Sequence, residues 1–333
     1  MNYIGSKLKL CQHFLPETIK SVCGADLSQK IFCDIFAGTG IVGRTFKTSV
    51  HKVISNDIEY YSYVLNKNYI ENHRPLENSE LFVSELNGLS PCAGGFIYKN
   101  YCLGGNGERQ YFSDENGKKI DSIRIKIEEW KNNGKINKSM YYFLLASLLE
   151  SADKVANTAS VYGAYLKNLK KSAQKQMVLE PANFDLNDNE HEVFNSNANE
   201  LITKISGDIL YLDPPYNSRQ YGANYHLLNT IAEYNPFIPK GKTGLREYTR
   251  SKYCSVSSVK EEFESLIKNA NFKYIFLSYN NEGLMSVGEV QRIMQKYGRY
   301  DLAQTDYQRF KADSNRFNKA ESTVEYLHIL EKD

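Results

Sequence analysis

The run Leu212-Asp213-Pro214-Pro215-Tyr216 follows the apolar stretch Asp208-Ile209-Leu210-Tyr211. Each proline fixes its own φ and has no N–H to donate, so the turn is stiff and its carbonyls stay free to accept. A residue that precedes proline is held out of the helical region, which keeps Asp213 and Pro214 extended. A strand that empties into this turn presents one carboxylate, one free carbonyl and one aromatic ring on a rigid lip. That set suits a planar base with an exocyclic amino group: Asp213 and the Pro214 carbonyl accept from the NH2, and Tyr216 stacks on the ring. The plain alternative is a surface turn after a buried strand.

A second run carries chemistry of another kind. Lys30-Ile31-Phe32-Cys33-Asp34-Ile35-Phe36-Ala37-Gly38-Thr39-Gly40-Ile41-Val42-Gly43 reads as an apolar strand, a glycine-rich turn and the start of a helix. The glycines allow a tight turn and a close backbone approach to a ligand, and the new helix offers free N–H groups. His51 to Asp57 reads as another strand, ending in an acid roughly twenty residues past the turn, where nucleotide folds grip ribose hydroxyls. Gly38-x-Gly40-x-x-Gly43 with a later acid also fits the dinucleotide fingerprint, so the local signal is a nucleoside-containing cofactor of unspecified kind. Asp34 leans the choice, because an acid at this strand end suits an amino group, which S-adenosylmethionine has and a pyrophosphate lacks. Ahead of both runs, Asn2-Tyr3-Ile4-Gly5-Ser6-Lys7 would by default fray. Beside a cofactor, Gly5 would permit close approach and Lys7 would bring a positive charge.

These residues need a scaffold, and a chain of 333 residues with 41% hydrophobic and 24% charged content can bury a substantial core. Helices are predicted at Leu8–Ile19, Tyr60–Ile70, Asp121–Trp130, Met140–Val155 and within Asn217–Glu233. Strands are predicted at the two runs above, at His51–Asp57, at Phe272–Ser278, and in a terminal hairpin formed by Leu302–Phe310 and Thr323–Leu330 around a basic turn holding Lys311, Arg316 and Lys319. A net charge of +2 and a pI near 8.0 supply no global field for nucleic acid, so such binding must rest on local clusters. Lys167, Lys170, Lys171 and Lys175 are spaced to share one helix face, ordinarily a solvated surface and here a candidate phosphate track. Lys240, Lys242, Arg246, Arg250 and Lys252 form a second cluster. Between Gly94 and Phe112 lies a glycine- and aromatic-rich stretch of loops or a short hairpin; there Arg109 offers a fork for a guanine edge, unless it pairs with Glu108 or Asp114. The 25 tyrosines supply stacking surfaces as well as core. The six cysteines form no Cys-x-x-Cys pair, so neither a metal site nor a disulfide framework is expected. With no signal peptide and no membrane-length apolar run, a cytoplasmic protein is expected.

Phe36-Ala37-Gly38-Thr39-Gly40 paired with Asp213-Pro214-Pro215-Tyr216 resembles the amino-methyltransferases that act on DNA bases. Tyr3-Ile4-Gly5-Ser6-Lys7-Leu8 looks like their leading cofactor motif, and the motif order is similar to the α-group, or D12 class, of adenine-N6 DNA methyltransferases. Ala156 to Ala164, with Arg219-Gln220-Tyr221 and Asn224-Tyr225-His226, looks like the branch of the FokI-type modification methylases. The resemblance implies an α/β, Rossmann-like methyltransferase sheet, mostly parallel with an antiparallel C-terminal hairpin. Residues 1–71 and 176–333 would form the catalytic domain, and 72–175 an inserted helical and loop region for target recognition. It implies S-adenosylmethionine as cofactor, with Phe36, Ala37, Gly38 and Gly40 along its methionine part, Asp34 near its amino group and Asp57 on the ribose hydroxyls. Tyr3 and Lys7 would close over it. Asp213, Pro214, Pro215 and Tyr216 would hold a flipped adenine. Many relatives place an acid before the proline strand for the cofactor's adenine amino group; the counterpart here is Asn197, which can accept but brings no charge.

The implied partners are double-stranded DNA, contacted through Arg109, Lys167, Lys171, Arg246 and Arg250, and a cognate restriction endonuclease. The chain would act as a monomer, without metal and without a membrane. Alternatives on the same motif are a cytosine-N4 enzyme, which more often carries Ser for Asp213, an RNA adenine enzyme, and a protein-glutamine enzyme, where Asn is common. From other classes come a nicotinamide-dependent oxidoreductase, which leaves Asp213 to Tyr216 unexplained, and a non-catalytic DNA-binding subunit.

Overall fold

Seven apolar or alternating runs pair into one sheet: β1 (Ile31–Asp34), β2 (Lys52–Asn56), β3 (Glu192–Phe194), β4 (Ser206–Leu212), β5 (Asn271–Asn280), β6 (Gly298–Gln308) and β7 (Ser322–Lys332). The computed structural model describes residues 7–308 and 322–333. The strand order is β3-β2-β1-β4-β5-β7-β6. β3, β2, β1, β4 and β5 run parallel, while β7 is antiparallel to β5 and to β6. The predicted mostly parallel sheet with an antiparallel terminal pair is therefore what forms. The basic turn through Lys311, Arg316 and Lys319 lies outside the described residues, as do Tyr3 and Gly5.

The order reverses between β1 and β4. Connections from those two strands leave toward opposite sides, so a crevice opens beyond their carboxyl ends. In register, Asp34 of β1 stands opposite Tyr211 of β4, which brings both motif-bearing strand ends to this crevice. Alternation divides the side chains by face. Cys33, Leu210, Ile275 and Leu277 pack with Phe263, Leu266, Val290 and Met294 of the helices Val259–Asn269 and Val287–Met294. On the opposite face Phe32 stacks against Phe46 at 4.5 Å and Tyr211 at 6.5 Å. β3 was not foreseen, since three residues show no period; it is held beside β2, where His191 Nδ1 accepts the Val53 amide at 3.0 Å.

The chain divides into two compact units. One carries the sheet, in the described residues up to Asn66, Asn187–Gln220 and Arg250–Asp333. The other comprises Lys67–Leu186 and Tyr221–Thr249, so it includes a stretch that the sequence reading left with the sheet. Its two long helices are Asp114–Asn132 and Lys138–Val155. The first starts seven residues before the predicted Asp121, because Ser113 caps it by accepting from Asn116 N and Asp114 and Glu115 fill its first turn. Its buried stripe is Ile120, Ile123, Ile127 and Trp130, whereas Ile125 is exposed and blurred the period.

One expectation is corrected here. Lys167 to Lys175 form no helix face; the segment is a series of turns. The buried side chain of Asn157 explains it: Asn157 donates to the carbonyls of Gln110 and Leu166 and accepts the Lys170 amide at 3.0 Å, so the backbone is pinned to that side chain instead of to itself. Phe96–Tyr101, placed by sequence in loops, is a short helix, its first amides at Ile97 and Tyr98 held by the Asp121 carboxylate. Tyr101, Tyr111, Tyr162 and Tyr225 are fully buried around His226, so they are core and not open stacking platforms.

Candidate active site

The glycine-rich turn after β1 is held from behind. Gly38 and Gly40 have φ of 52° and 77°, conformations that L side chains avoid. Asp57, just past β2, accepts the Gly38 amide at 2.8 Å on one oxygen and the Glu59 amide at 2.9 Å on the other. The Gly38 carbonyl accepts from the Ser62 hydroxyl and from Asn66 Nδ2 at 3.1 Å. Ser62 and Asn66 can share this target because they are four residues apart on the helix Tyr60–Asn66. A Cβ on Gly40 would lie 2.7 Å from Asn66 Oδ1. Glycine is thus required here by the turn's own backbone and packing, before any ligand is considered. Burial raises the Asp57 carboxyl, and the amides of Glu59 and Gly38 pull it back.

Asp34 is the unusual group. It is buried, and neither of its oxygens has a hydrogen-bond partner of normal geometry. Burial, Asp213 and Asp57 together push its carboxyl well above the usual carboxylate range, and the amides of Gly43 and Phe36 offset this only partly. A buried carboxylate whose only donors are two poorly placed amides is costly and suits a cationic partner. Phe36 lies beside it in sequence and meets the edge of Tyr253 at 5.1 Å, while Ala37 is buried.

The proline lip follows β4. Asp213 Oδ1 is 3.2 Å from Lys7 Nζ, and the two side chains are 21% and 6% exposed. Lys7 Nζ also donates to Glu325 Oε1 at 2.6 Å, and that same oxygen accepts from the Ser278 hydroxyl at 2.6 Å. Burial raises the Asp213 carboxyl to about 6; Lys7 lowers it and Glu325 raises it. Burial works against the Lys7 ammonium, yet Asp213 and Glu325 hold its pKa well above the ordinary lysine value. The Tyr211 hydroxyl is buried beside Ser278, with no hydrogen bond of normal geometry. Pro214 is buried, Pro215 and Tyr216 are half-buried, and the Tyr216 carbonyl accepts the Leu284 amide at 3.0 Å.

The structure therefore brings together Lys7, Asp34, Phe36, Ala37, Gly38, Gly40, Asp57 and the run Asp213 to Tyr216 in one unit, at the carboxyl edge of its sheet. Asn197 is differently used: it is exposed and its Oδ1 accepts the Asn199 amide at 2.9 Å, capping the helix Ala198–Leu201. Sequence reasoning missed Ser62, Asn66, Ser278 and Glu325. For Glu325 a signal existed, since it falls in the phase of Leu327 and Ile329, and an acid on the apolar phase of a strand needs a reason.

The cationic candidates differ from one another. Arg109 donates to the carbonyls of Asn100, Gly241 and Lys242 and lies over the Tyr101 ring at 5.9 Å, so it clamps two loops and pairs with neither Glu108 nor Asp114. Arg246 is paired with Glu233 and packed over Phe237 at 5.4 Å. Lys167, Lys171 and Arg250 are exposed. Among the described residues no group of acids, histidines and cysteines could hold a metal ion.

The family profile of the D12 class N6 adenine-specific DNA methyltransferases matches residues 3–318. The chain is 66% identical over 334 residues to the type II methyltransferase M.NlaIII of Neisseria lactamica, covering 100% of this chain and 99% of that enzyme. It is 39% identical to the type II methyltransferase M.CviAII of Paramecium bursaria Chlorella virus 1, over 99% of this chain and 98% of that one. To the type II methyltransferase M.FokI of Planomicrobium okeanokoites it is 38% identical, and there all of this chain spans 53% of the longer enzyme.

Lys7→Met leaves two buried carboxylates facing each other, and breaking such a pair costs about 3–5 kcal/mol. The loss should be larger at pH 8 than at pH 5. Burial and the Glu325 charge already raise the Asp213 carboxyl, and without the ammonium nothing offsets them, so the stability that Asp213 contributes is lost as pH rises through its folded value. Urea denaturation of variant and parent at the two pH values measures this.

Proposed function

The chain belongs to the D12 class of N6 adenine-specific DNA methyltransferases, and on that premise we propose which of its residues perform the reaction. The methyl donor is S-adenosylmethionine and the acceptor is the N6 amino group of adenine in DNA. When bound, the cofactor supplies an electrophilic sulfonium methyl. The observation that carries the assignment is the register of Asp34 against Tyr211, which sets the glycine turn and the proline lip side by side at the switch point. The nicotinamide-dependent reading of Gly38-x-Gly40-x-x-Gly43 falls away with the family.

In our reading Asp34 takes the ammonium end of the cofactor. Its two unpartnered buried oxygens fit that group, and a cation there reverses the burial cost that now raises its carboxyl. Asp57, held by the Gly38 and Glu59 amides, keeps lone pairs for ribose hydroxyls. Phe36 and Ala37 line the methionine part, while Gly38 and Gly40 let the backbone pass close to it. For Asn197 to meet the cofactor's adenine, its cap would have to be shared.

At the lip, Asp213 and the Pro214 carbonyl accept from the target amino group, and Pro215 keeps the turn stiff. Tyr216 stacks on the flipped base. Adenine N6 is a poor nucleophile because its lone pair is conjugated with the ring. Two fixed acceptors draw the amino group toward tetrahedral geometry and free that pair for in-line attack. As the N–C bond formed, the methyl's bond to sulfur would break, the sulfur keeping that electron pair as a neutral thioether, and the positive charge growing on nitrogen would be stabilised by the Asp213 carboxylate beside it. The methylated ammonium is acidic enough to lose its proton afterward.

We further propose that the substrate is double-stranded DNA and that the chain acts as a monomer in the cytoplasm. We also propose that it is the modification partner of a restriction endonuclease, supported by relatives whose names are those of type II methyltransferases. No helix among the described residues is long and apolar enough to cross a membrane.

Asp213→Ala should reduce methyl transfer by about 100-fold or more, on the order of 3 kcal/mol. Tyr216→Ala should remove about 1–3 kcal/mol of stacking. Both should leave cofactor affinity near the parent value, as read by single-turnover transfer and by calorimetry; retained transfer in Asp213→Ala would exclude the lip as the active site. Cofactor affinity should fall as pH is lowered through the raised Asp34 value, because protonation removes the partner of the ammonium. Asp34→Asn should bind weakly with that dependence flattened, and calorimetry from pH 5.5 to 8.5 decides it. Lys167→Ala, Lys171→Ala and Arg250→Ala should each weaken binding to all DNA sequences alike and lower the salt slope by about one. Arg109→Ala, which releases two loops, should instead broaden the methylated sequence, as read in methylomes of expressing hosts; an unchanged sequence would remove Arg109 from recognition. Arg246→Ala should cost folding stability, through Glu233, more than it costs DNA affinity.

A further inference from the structure

Glu325 and Ser278 stand outside every motif of the reading above, yet they touch the group that touches Asp213. Glu325 lies near the start of β7, opposite Asn280 of β5, on the same sheet face as Leu327 and Ile329. Because β7 is antiparallel, its beginning reaches the carboxyl edge of the parallel strands. The Glu325 side chain is 4% exposed, and a carboxylate so placed is retained only where it is paired and hydrogen-bonded. Its partners are Lys7 Nζ and the Ser278 hydroxyl, each at 2.6 Å on Oε1. Lys7 thus stands between two acids, and at Asp213 it meets Oδ1.

We propose that Glu325, anchored by Ser278, is a positioning residue for methyl transfer. It draws Lys7 to one side, so that Asp213 keeps one oxygen open and remains a strong acceptor for the target amino group. The proposal rests on the placement of Asp213 as that acceptor. A lone ammonium on a buried carboxylate would neutralise it, and hydrogen-bond acceptance weakens as basicity falls. A second carboxylate on the same ammonium divides its charge. Consistent with this, Glu325 raises the Asp213 carboxyl while Lys7 lowers it. The other titratable groups near Asp213 are Tyr211 on β4, Asp34 on β1 and Cys11 ahead of the first helix. None of these side chains is bonded to the Lys7 ammonium, so none can substitute for Glu325 in holding it.

The test is the pH profile of the single-turnover rate at saturating S-adenosylmethionine and DNA. Glu325→Gln keeps the shape and removes the charge. Its acid limb should move to lower pH by about half a unit to one unit, since a like charge near Asp213 is gone. Its plateau rate should fall about tenfold, with cofactor Kd unchanged. Glu325→Asp should restore the limb, because the charge returns. An acid limb in Glu325→Gln that coincides with the parent's overturns the proposal. Ser278→Ala, which keeps both charges and loosens only the anchor, serves if Glu325→Gln does not fold: a lower rate with cofactor Kd unchanged supports the proposal, and a parental rate overturns it. Asp213→Ala run alongside separates the two readings. Activity surviving there removes the acceptor assignment and the proposal with it, whereas loss there beside an unmoved limb in Glu325→Gln removes the proposal alone.

Discussion

Residues 7, 213 and 325 are far apart in the chain, and one ammonium joins them. Lys7 Nζ lies 3.2 Å from Asp213 and 2.6 Å from Glu325, all three being largely withdrawn from water. Without this cation the two carboxylates would be unstable in a low-dielectric setting, because each acid would be desolvated beside a like charge. Sharing the cation fixes where the segment at Lys7 lies, where β7 begins and how the proline lip is aimed. The same constraint sets the charge of the site. With Asp34 and Asp57 added, acids outnumber the one lysine among these residues, so the edge is electrically suited to a cationic ligand.

The glycine turn shows how such an edge is kept from collapsing. Its amide at Gly38 is fixed by Asp57, and its carbonyl is fixed by Ser62 and Asn66 of the following helix. Asn66 is fixed in turn by the Ser55 hydroxyl at 2.8 Å. Both backbone polar groups of Gly38 are thus engaged by side chains. Asp34 has no hydrogen-bond partner of normal geometry, and the charged groups that act on it, Asp213 and Asp57, are themselves acids. A turn held this way has little reorganisation left to make when a ligand arrives, which is the condition for fixed dipoles to act in a reaction.

In the second unit three arginines serve the fold. Arg109 satisfies three carbonyls, Arg246 is compensated by Glu233, and Arg124 donates to the last carbonyls of the helix His226–Glu233 at Ile231 and Ala232. Guanidinium groups suit this work because their donors form a rigid planar fork. Lys167 and Lys171 are exposed. Arg109 ties the Gly241 and Lys242 carbonyls to that of Asn100.

The two motifs, a nucleoside-containing cofactor and the terminal hairpin were legible in the sequence because each depends on local rules, whereas the mostly parallel sheet followed from the family resemblance. Prolines after a strand make a stiff lip, glycines after a strand make a tight turn, and alternation marks buried strands. Helix starts were less legible: Ser113 and its acidic first turn lay outside the apolar period that the eye follows. What only the tertiary structure decided is who meets whom. Spacing placed Lys167 to Lys175 on a helix face, but the buried amide of Asn157 claimed the backbone first. Arg109 read as a free fork until distant carbonyls at Gly241 and Lys242 occupied it. Glu325 was one acid in a late strand, and its meaning came from strand order, which lays β7 beside β5 and its first residues beside Lys7. Local rules fix what each residue offers; the order of strands in the sheet determines which charges must share a site.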